Sequence, residues 1–164
     1  MFTAGKTTNF RAVHSLSIFG DKLLNMKIDL KRKNNAFHFE AKDEDGAIIN
    51  MDGSPDIGGE NKGLRPMQLL LAGMGGCAAI DIILILKKQK QEIEDFQIEV
   101  NGEREKGKEP ALWQTAHVKF KLKGKIEKTK AECAVELSMK KYCSVAATLE
   151  KAGAKVTYEV SVNE

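Results

Sequence analysis

The chain has 164 residues, enough for one domain with a proper core and too few to count on two. At 42% hydrophobic and 30% charged it has the composition of a soluble globular protein. Its 26 basic and 23 acidic residues interleave to a net charge of +3, which argues against a nucleic-acid-binding surface.

Residues 1–25 read as an N-terminal arm and residues 26–164 as the domain. The first twenty, MFTAGKTTNFRAVHSLSIFG, hold Lys6 and Arg11 and no acid. That suits a frayed arm, an organellar transit peptide, or an extension ahead of a true start at Met26, and the lack of an apolar run disfavours a secretory signal. From Met26 the pattern is β. Ile28 and Leu30 alternate with charged residues, the run Lys31-Arg32-Lys33 reads as a solvated turn, and Asn34-Asn35 suits a hairpin. Phe37 and Phe39 belong to a second strand and Ala47 to Met51 to a third, followed by a flexible loop from Gly58 to Gly63.

Pro66 suits the first position of a helix, and the twenty residues Met67 to Leu86 are interrupted only by Gln68 and Asp81. A membrane span is the rival reading. Asp81, the glycines Gly73, Gly75 and Gly76, and strands on both sides that need an apolar partner favour a buried central helix instead. Phe96 to Val100 and Val118 to Leu122 alternate as a hairpin around a charged loop from Arg104 to Pro110, with Gly124 as a stop. Lys128 to Ala152 is helical, as one helix or two joined near Lys141, with Ala131, Ala134, Val135, Ser138, Tyr142, Val145 and Leu149 on an apolar face. Val156 to Val162 closes the chain as a strand. The expected class is α+β, an antiparallel sheet wrapped on a buried central helix.

The chemistry rests on thiols. Cys77, Cys133 and Cys143 form no Cys-x-x-Cys pair, and His14, His38 and His117 are scattered, so neither a metal nor another cofactor is expected. An odd number of cysteines without a secretory signal points to reduced thiols in the cytoplasm. Cys77 and Asp81 share one helix face a turn apart. Cys77 is far from the helix start and Asp81 would raise its pKa, so a thiolate there needs a cation from Arg32, Lys33, Lys62 or Arg65; on residue physics alone it reads as core filling. Cys143 follows Lys140 and Lys141, and a helix restarting at Ser144 would put it at an N-terminus; both favour a thiolate. Cys133 reads as structural. The chain order permits an attacking and a resolving thiol without showing that they meet.

GLRPMQLLLAGMGGCAAIDIILIL resembles the central-helix motif of the OsmC/Ohr family (osmotically inducible and organic-hydroperoxide-resistance proteins), in which a Pro-x-x-Leu-Leu segment precedes Ala-x-x-x-Cys. MKKYCSVAATLEKA resembles that family's second-cysteine segment, and the wording of both is most similar to the YhfA-like branch. The resemblance spans about Met26 to Val162. It implies an intertwined homodimer with six strands per protomer and active sites at the interface. It also implies a thiol peroxidase that reduces small hydrophobic organic hydroperoxides in oxidative-stress defence and draws on a dithiol reductant, with neither nucleic acid nor membrane as partner. Cys77 would attack the peroxide, Cys143 would resolve the sulfenic acid as a disulfide, and Arg32, with Lys33 in reserve, would stabilise the thiolate. The family's helix-start glutamate is replaced here by Met67 and Gln68, so Glu60, Gln68 and Asp81 are the supporting candidates. Leu70, Met74, Ile80 and Leu84 would line an apolar substrate site. The alternative is a ligand-binding or redox-sensing homodimer of the same fold without turnover.

Overall fold

The computed structural model describes residues 26–164; the arm 1–25 lies outside the described residues. Strands β1 (Ile28–Arg32), β2 (Phe39–Asp43) and β3 (Ile48–Met51) form one antiparallel sheet. The β1–β2 turn closes through Lys33 N–H donating to the His38 carbonyl at 2.8 Å. The Asn34 Oδ1 atom accepts from the Ala36 and His38 amides at 3.0 and 3.1 Å, the local side-chain bonding that suits Asn to turns.

A loop organised by Asp52 leads to helix α1 (Pro66–Lys88). Asp52 is buried, and its carboxylate accepts from the Gly53, Glu60 and Lys62 amides at 2.7, 2.9 and 3.0 Å. The α1 limits are those the apolar run and Pro66 predict. Its buried face is Leu71, Met74, Gly75, Ala78, Ile82 and Leu86. A β-carbon at Gly75 would lie 3.1 Å from Val100, so glycine there permits the close approach of α1 to the second sheet.

That sheet holds β4 (Glu92–Arg104), β5 (Trp113–Lys125) and β6 (Lys155–Val162), in the order β4–β5–β6. β4 and β5 pair antiparallel, as expected, and run well beyond the alternating cores of Phe96 to Val100 and Val118 to Leu122. Gly124 does not end β5. It sits at φ 136° in a register shift, where any side chain would collide with the Glu92 carbonyl. β6 pairs with β5 in parallel, so the sheet is not wholly antiparallel; the helical segment between them is a crossover, the connection a parallel pair requires.

The crossover comprises α2 (Lys128–Leu137), a single π turn (Ser138–Tyr142) and α3 (Ser144–Lys151). It packs against α1 beside the sheet, making one core with Val118, Phe120, Leu122, Ala134, Val135 and Ala146. Among the described residues there are six strands, but they divide into two separate three-stranded sheets. Within one chain α1 is covered on one side only. Leu70, Ile80 and Ile83 remain exposed, and α1 is long and apolar enough to cross a membrane, although its packed face is that of a core helix.

Candidate active site

The crossover delivers Cys143 to α1. In an unbroken helix, steps of three and four would carry the apolar face from Ser138 to Tyr142. The π turn adds one residue, and the Cys143 amide donates instead to the Ser138 carbonyl at 2.8 Å. Tyr142 therefore faces outward, 51% exposed, contrary to the apolar-face expectation, and Cys143 takes the buried position.

Cys143 is also the N-cap of α3, its sulfur accepting from the Ala146 amide at 3.4 Å. The restart at Ser144 is as expected; the thiolate is not. Burial pushes the Cys143 thiol up to about 12, the neighbouring Cys77 sulfur adds to the rise, and the Ala146 amide offsets only part of it. The lysines expected to help are engaged elsewhere, Lys140 with Glu136 at 2.6 Å and Lys141 over the Tyr142 ring. Cys143 is thus a neutral thiol, donating to the Met74 carbonyl at 3.7 Å.

Cys77 lies one turn beyond Met74, half-buried between the packed and uncovered faces of α1. Its sulfur is 4.0 Å from the Ser144 hydroxyl, at the first residue of α3. The structure therefore gathers Cys77 and Cys143 around one turn of α1, the first partly accessible and the second enclosed. Cys133 is exposed on α2, so the structural role expected of it has no packing behind it.

The other candidates fall in different places. Asp81, one turn after Cys77, accepts from the Ser138 hydroxyl at 3.2 Å, and burial raises its carboxyl above the ordinary carboxylate range. Gln68 is spent on the helix start, its Oε1 accepting from the Arg65 amide at 2.9 Å. Glu60 is paired with Lys62, whose ammonium holds its carboxylate below the usual range. Arg32 ends β1 opposite Phe39 in the other sheet, and among the described residues no hydrogen bond or ion pair joins it to either thiol. Lys33 is paired with Glu40 at 3.1 Å. Leu70, Met74, Ile80 and Leu84 do not line one cavity: Met74 is core, while Leu70 and Ile80 face outward. Among the described residues no cluster of His, Cys, Asp and Glu side chains could hold a metal ion. Ser138 and Ser144 are the site residues that sequence reasoning missed; the signal for Ser138 was a hydroxyl standing in an otherwise apolar stripe.

A two-sheet α+β fold with paired thiols between its central helix and crossover is the class to which the comparisons lead. The family model for OsmC-like proteins matches residues 59–159, and the chain belongs to that family. It is 37% identical over 115 residues to Protein YhfA of Escherichia coli strain K12, covering 70% of this chain and 82% of that protein, which places it with the YhfA-like branch. A hypothetical protein from Aquifex aeolicus VF5 is 35% identical and superposes with a TM-score of 0.69 over 85% of this chain and 98% of that one. The organic hydroperoxide resistance protein OhrB of Bacillus subtilis, 22% identical, superposes with a TM-score of 0.56 over 85% and 99% of the two chains, a likeness of fold alone.

Proposed function

We propose that this protein is a thiol peroxidase that reduces organic hydroperoxides in the cytoplasm as an intertwined homodimer. The observation that carries this reading is the gathering of an accessible Cys77 and an enclosed Cys143 around one turn of α1. The Cys77 thiolate attacks the outer peroxide oxygen, the O–O bond breaks, and the alkoxide leaves as an alcohol after taking a proton, giving a sulfenic acid. Cys143 then forms a bond to the Cys77 sulfur; the S–O bond breaks, and the departing hydroxide and the Cys143 proton leave as water. A dithiol reductant returns the two electrons and becomes a disulfide itself.

The dimer is supported by what one chain leaves uncovered. Leu70, Gly73, Gly76, Ile80 and Ile83 form a stripe along α1, and nothing lies within 4 Å of a β-carbon built at either glycine. The first sheet exposes Ile28, Leu30, Phe39 and Ile49 on one face, beside an apolar groove of about 470 Å³ that reaches Leu69. Apolar surface this continuous marks an interface. On this reading a second copy covers the stripe and the open side of Cys77, and Arg32 serves across that interface as the thiolate's cation.

One observation favours the rival reading of a redox-sensing or ligand-binding homodimer without turnover. Gln68, at the family's glutamate position, is occupied in capping α1, so no acid is set there to orient an arginine. Treating the reduced protein with a stoichiometric organic hydroperoxide and measuring intact mass separates the two. Rapid loss of two hydrogens, mapped to a Cys77–Cys143 link and abolished in Cys77→Ser, supports the peroxidase. Absence of oxidation at low excess gives the rival reading.

A further inference from the structure

We propose that Asp81 and Ser138 form a latch that positions the second thiol: the carboxyl on α1 holds the hydroxyl that opens the π turn, and that turn sets Cys143 against the Met74 to Cys77 turn. The inference rests on the two-thiol reading above and adds a positioning pair to it.

Ser138 is fully buried, and its Oγ lies 3.2 Å from Asp81 Oδ2 and 3.3 Å from the Ala78 carbonyl oxygen. A hydroxyl carries one proton and cannot serve two acceptors fully. The hydroxyl proton is shared between the Asp81 carboxylate and the Ala78 carbonyl oxygen, and its donation to Asp81 works against the upward push that burial gives that carboxyl. The same serine's carbonyl accepts the Cys143 amide at 2.8 Å, the bond that closes the π turn. Its side chain is therefore anchored to α1 at Ala78 and Asp81, while its backbone fixes the residue whose sulfur reaches Met74. Cys77 lies between these anchor points on α1. A carboxyl among apolar neighbours carries a desolvation cost that a pure packing role would not require. Placement of Cys143 gives it a function, since disulfide closure must bring the sulfurs to about 2.05 Å in a narrow geometry.

The test uses the full chain in a Cys133→Ser background and needs no hydroperoxide. Glutathione disulfide exchanges with Cys77, releasing one glutathione. Cys143 then displaces the second glutathione and forms the Cys77–Cys143 bond. Mass spectrometry of acid-quenched samples reads both rates. Asp81→Leu and Ser138→Ala are expected to slow closure by about tenfold, the equivalent of one lost hydrogen bond, with the first exchange unchanged. Asp81→Asn, which keeps a carbonyl acceptor, should restore most of the closure rate. The latch is overturned if both hydrogen-bond-deleting variants close at the parent rate, if both steps slow in parallel, or if the parent never closes. Should Asp81→Leu fail to fold, Ser138→Ala decides. Because peroxide takes no part, a protein without peroxidase turnover still gives an answer.

Discussion

The two sheets do different work with the same kinds of residue. The β4–β5–β6 sheet lays Val118, Phe120 and Leu122 against α1 and the crossover, which bury them almost completely. The β1–β2–β3 sheet alternates as cleanly, yet Ile28 and Leu30 are 53% and 58% exposed. Alternation in a strand says that one face is meant to be covered; it does not say by what. In the second sheet the cover is in the same chain, and in the first we assign it to a second copy.

The sharpest way to break that contrast is to truncate one aromatic from each sheet. Phe120→Ala should cost about 3–5 kcal/mol at any protein concentration, enough to threaten a domain whose whole stability is about 5–15 kcal/mol. Phe39→Ala should cost little in a monomer, where surface changes stay within about 0.5 kcal/mol, and its effect should grow where the parent is dimeric. Chemical denaturation at two concentrations a hundredfold apart reads both. A concentration-independent loss at Phe39 would contradict the assigned cover.

Next in size is the uncovered stripe of α1. Ile80→Asp places a charge among Leu70, Gly73 and Ile83 and should shift sedimentation from dimer to monomer while leaving the far-ultraviolet spectrum intact. The variant should also lose hydroperoxide reduction, because Arg32 then has no route to Cys77. Arg32→Ala tests the same link more gently. Alkylation by iodoacetamide needs the thiolate, so removing the cation assigned to it should slow the reaction of Cys77 at neutral pH by about tenfold in the dimer. An unchanged alkylation rate would leave Cys77 without the cation assigned to it.

Much of this was legible in the sequence because it depends on local pattern. Pro66 and an apolar run set the limits of α1, and the break near Lys141 and the restart at Ser144 fell where expected. The two cysteine motifs gave the family. What escaped depends on one residue more or less, or on surroundings. A π turn has no composition of its own, yet its extra residue exchanged Tyr142 for Cys143 on the inner face. Helix-end logic and two lysines argued for a thiolate at Cys143; only the packed structure shows that the lysines turn away and burial prevails. Similarly, Asp81 was visible as an acid in an apolar helix, but its partner lies 57 positions away and could be found only in the fold.

The smallest expected effect tests the enclosed side of the comparison through pH. The Cys143 thiol rises from an ordinary 9.0 to about 12 because it is buried beside Cys77. Below the lower value both the folded and the unfolded chain keep this proton. Between the two values the unfolded chain releases it and the folded chain does not, so the unfolded state binds fewer protons and stability falls as pH rises. Lysines and tyrosines titrate in the same range, so the slope of the parent alone is uninformative, and the useful quantity is its difference from Cys143→Ala. The variant should be less stable near neutral pH, having lost packed atoms, and should lose less stability than the parent as pH climbs, so that the two denaturation midpoints converge. Parallel curves would mean that Cys143 ionises as readily in the fold as outside it. The N-cap contact with Ala146 would then offset burial, and the second thiol would ionise as an ordinary cysteine does.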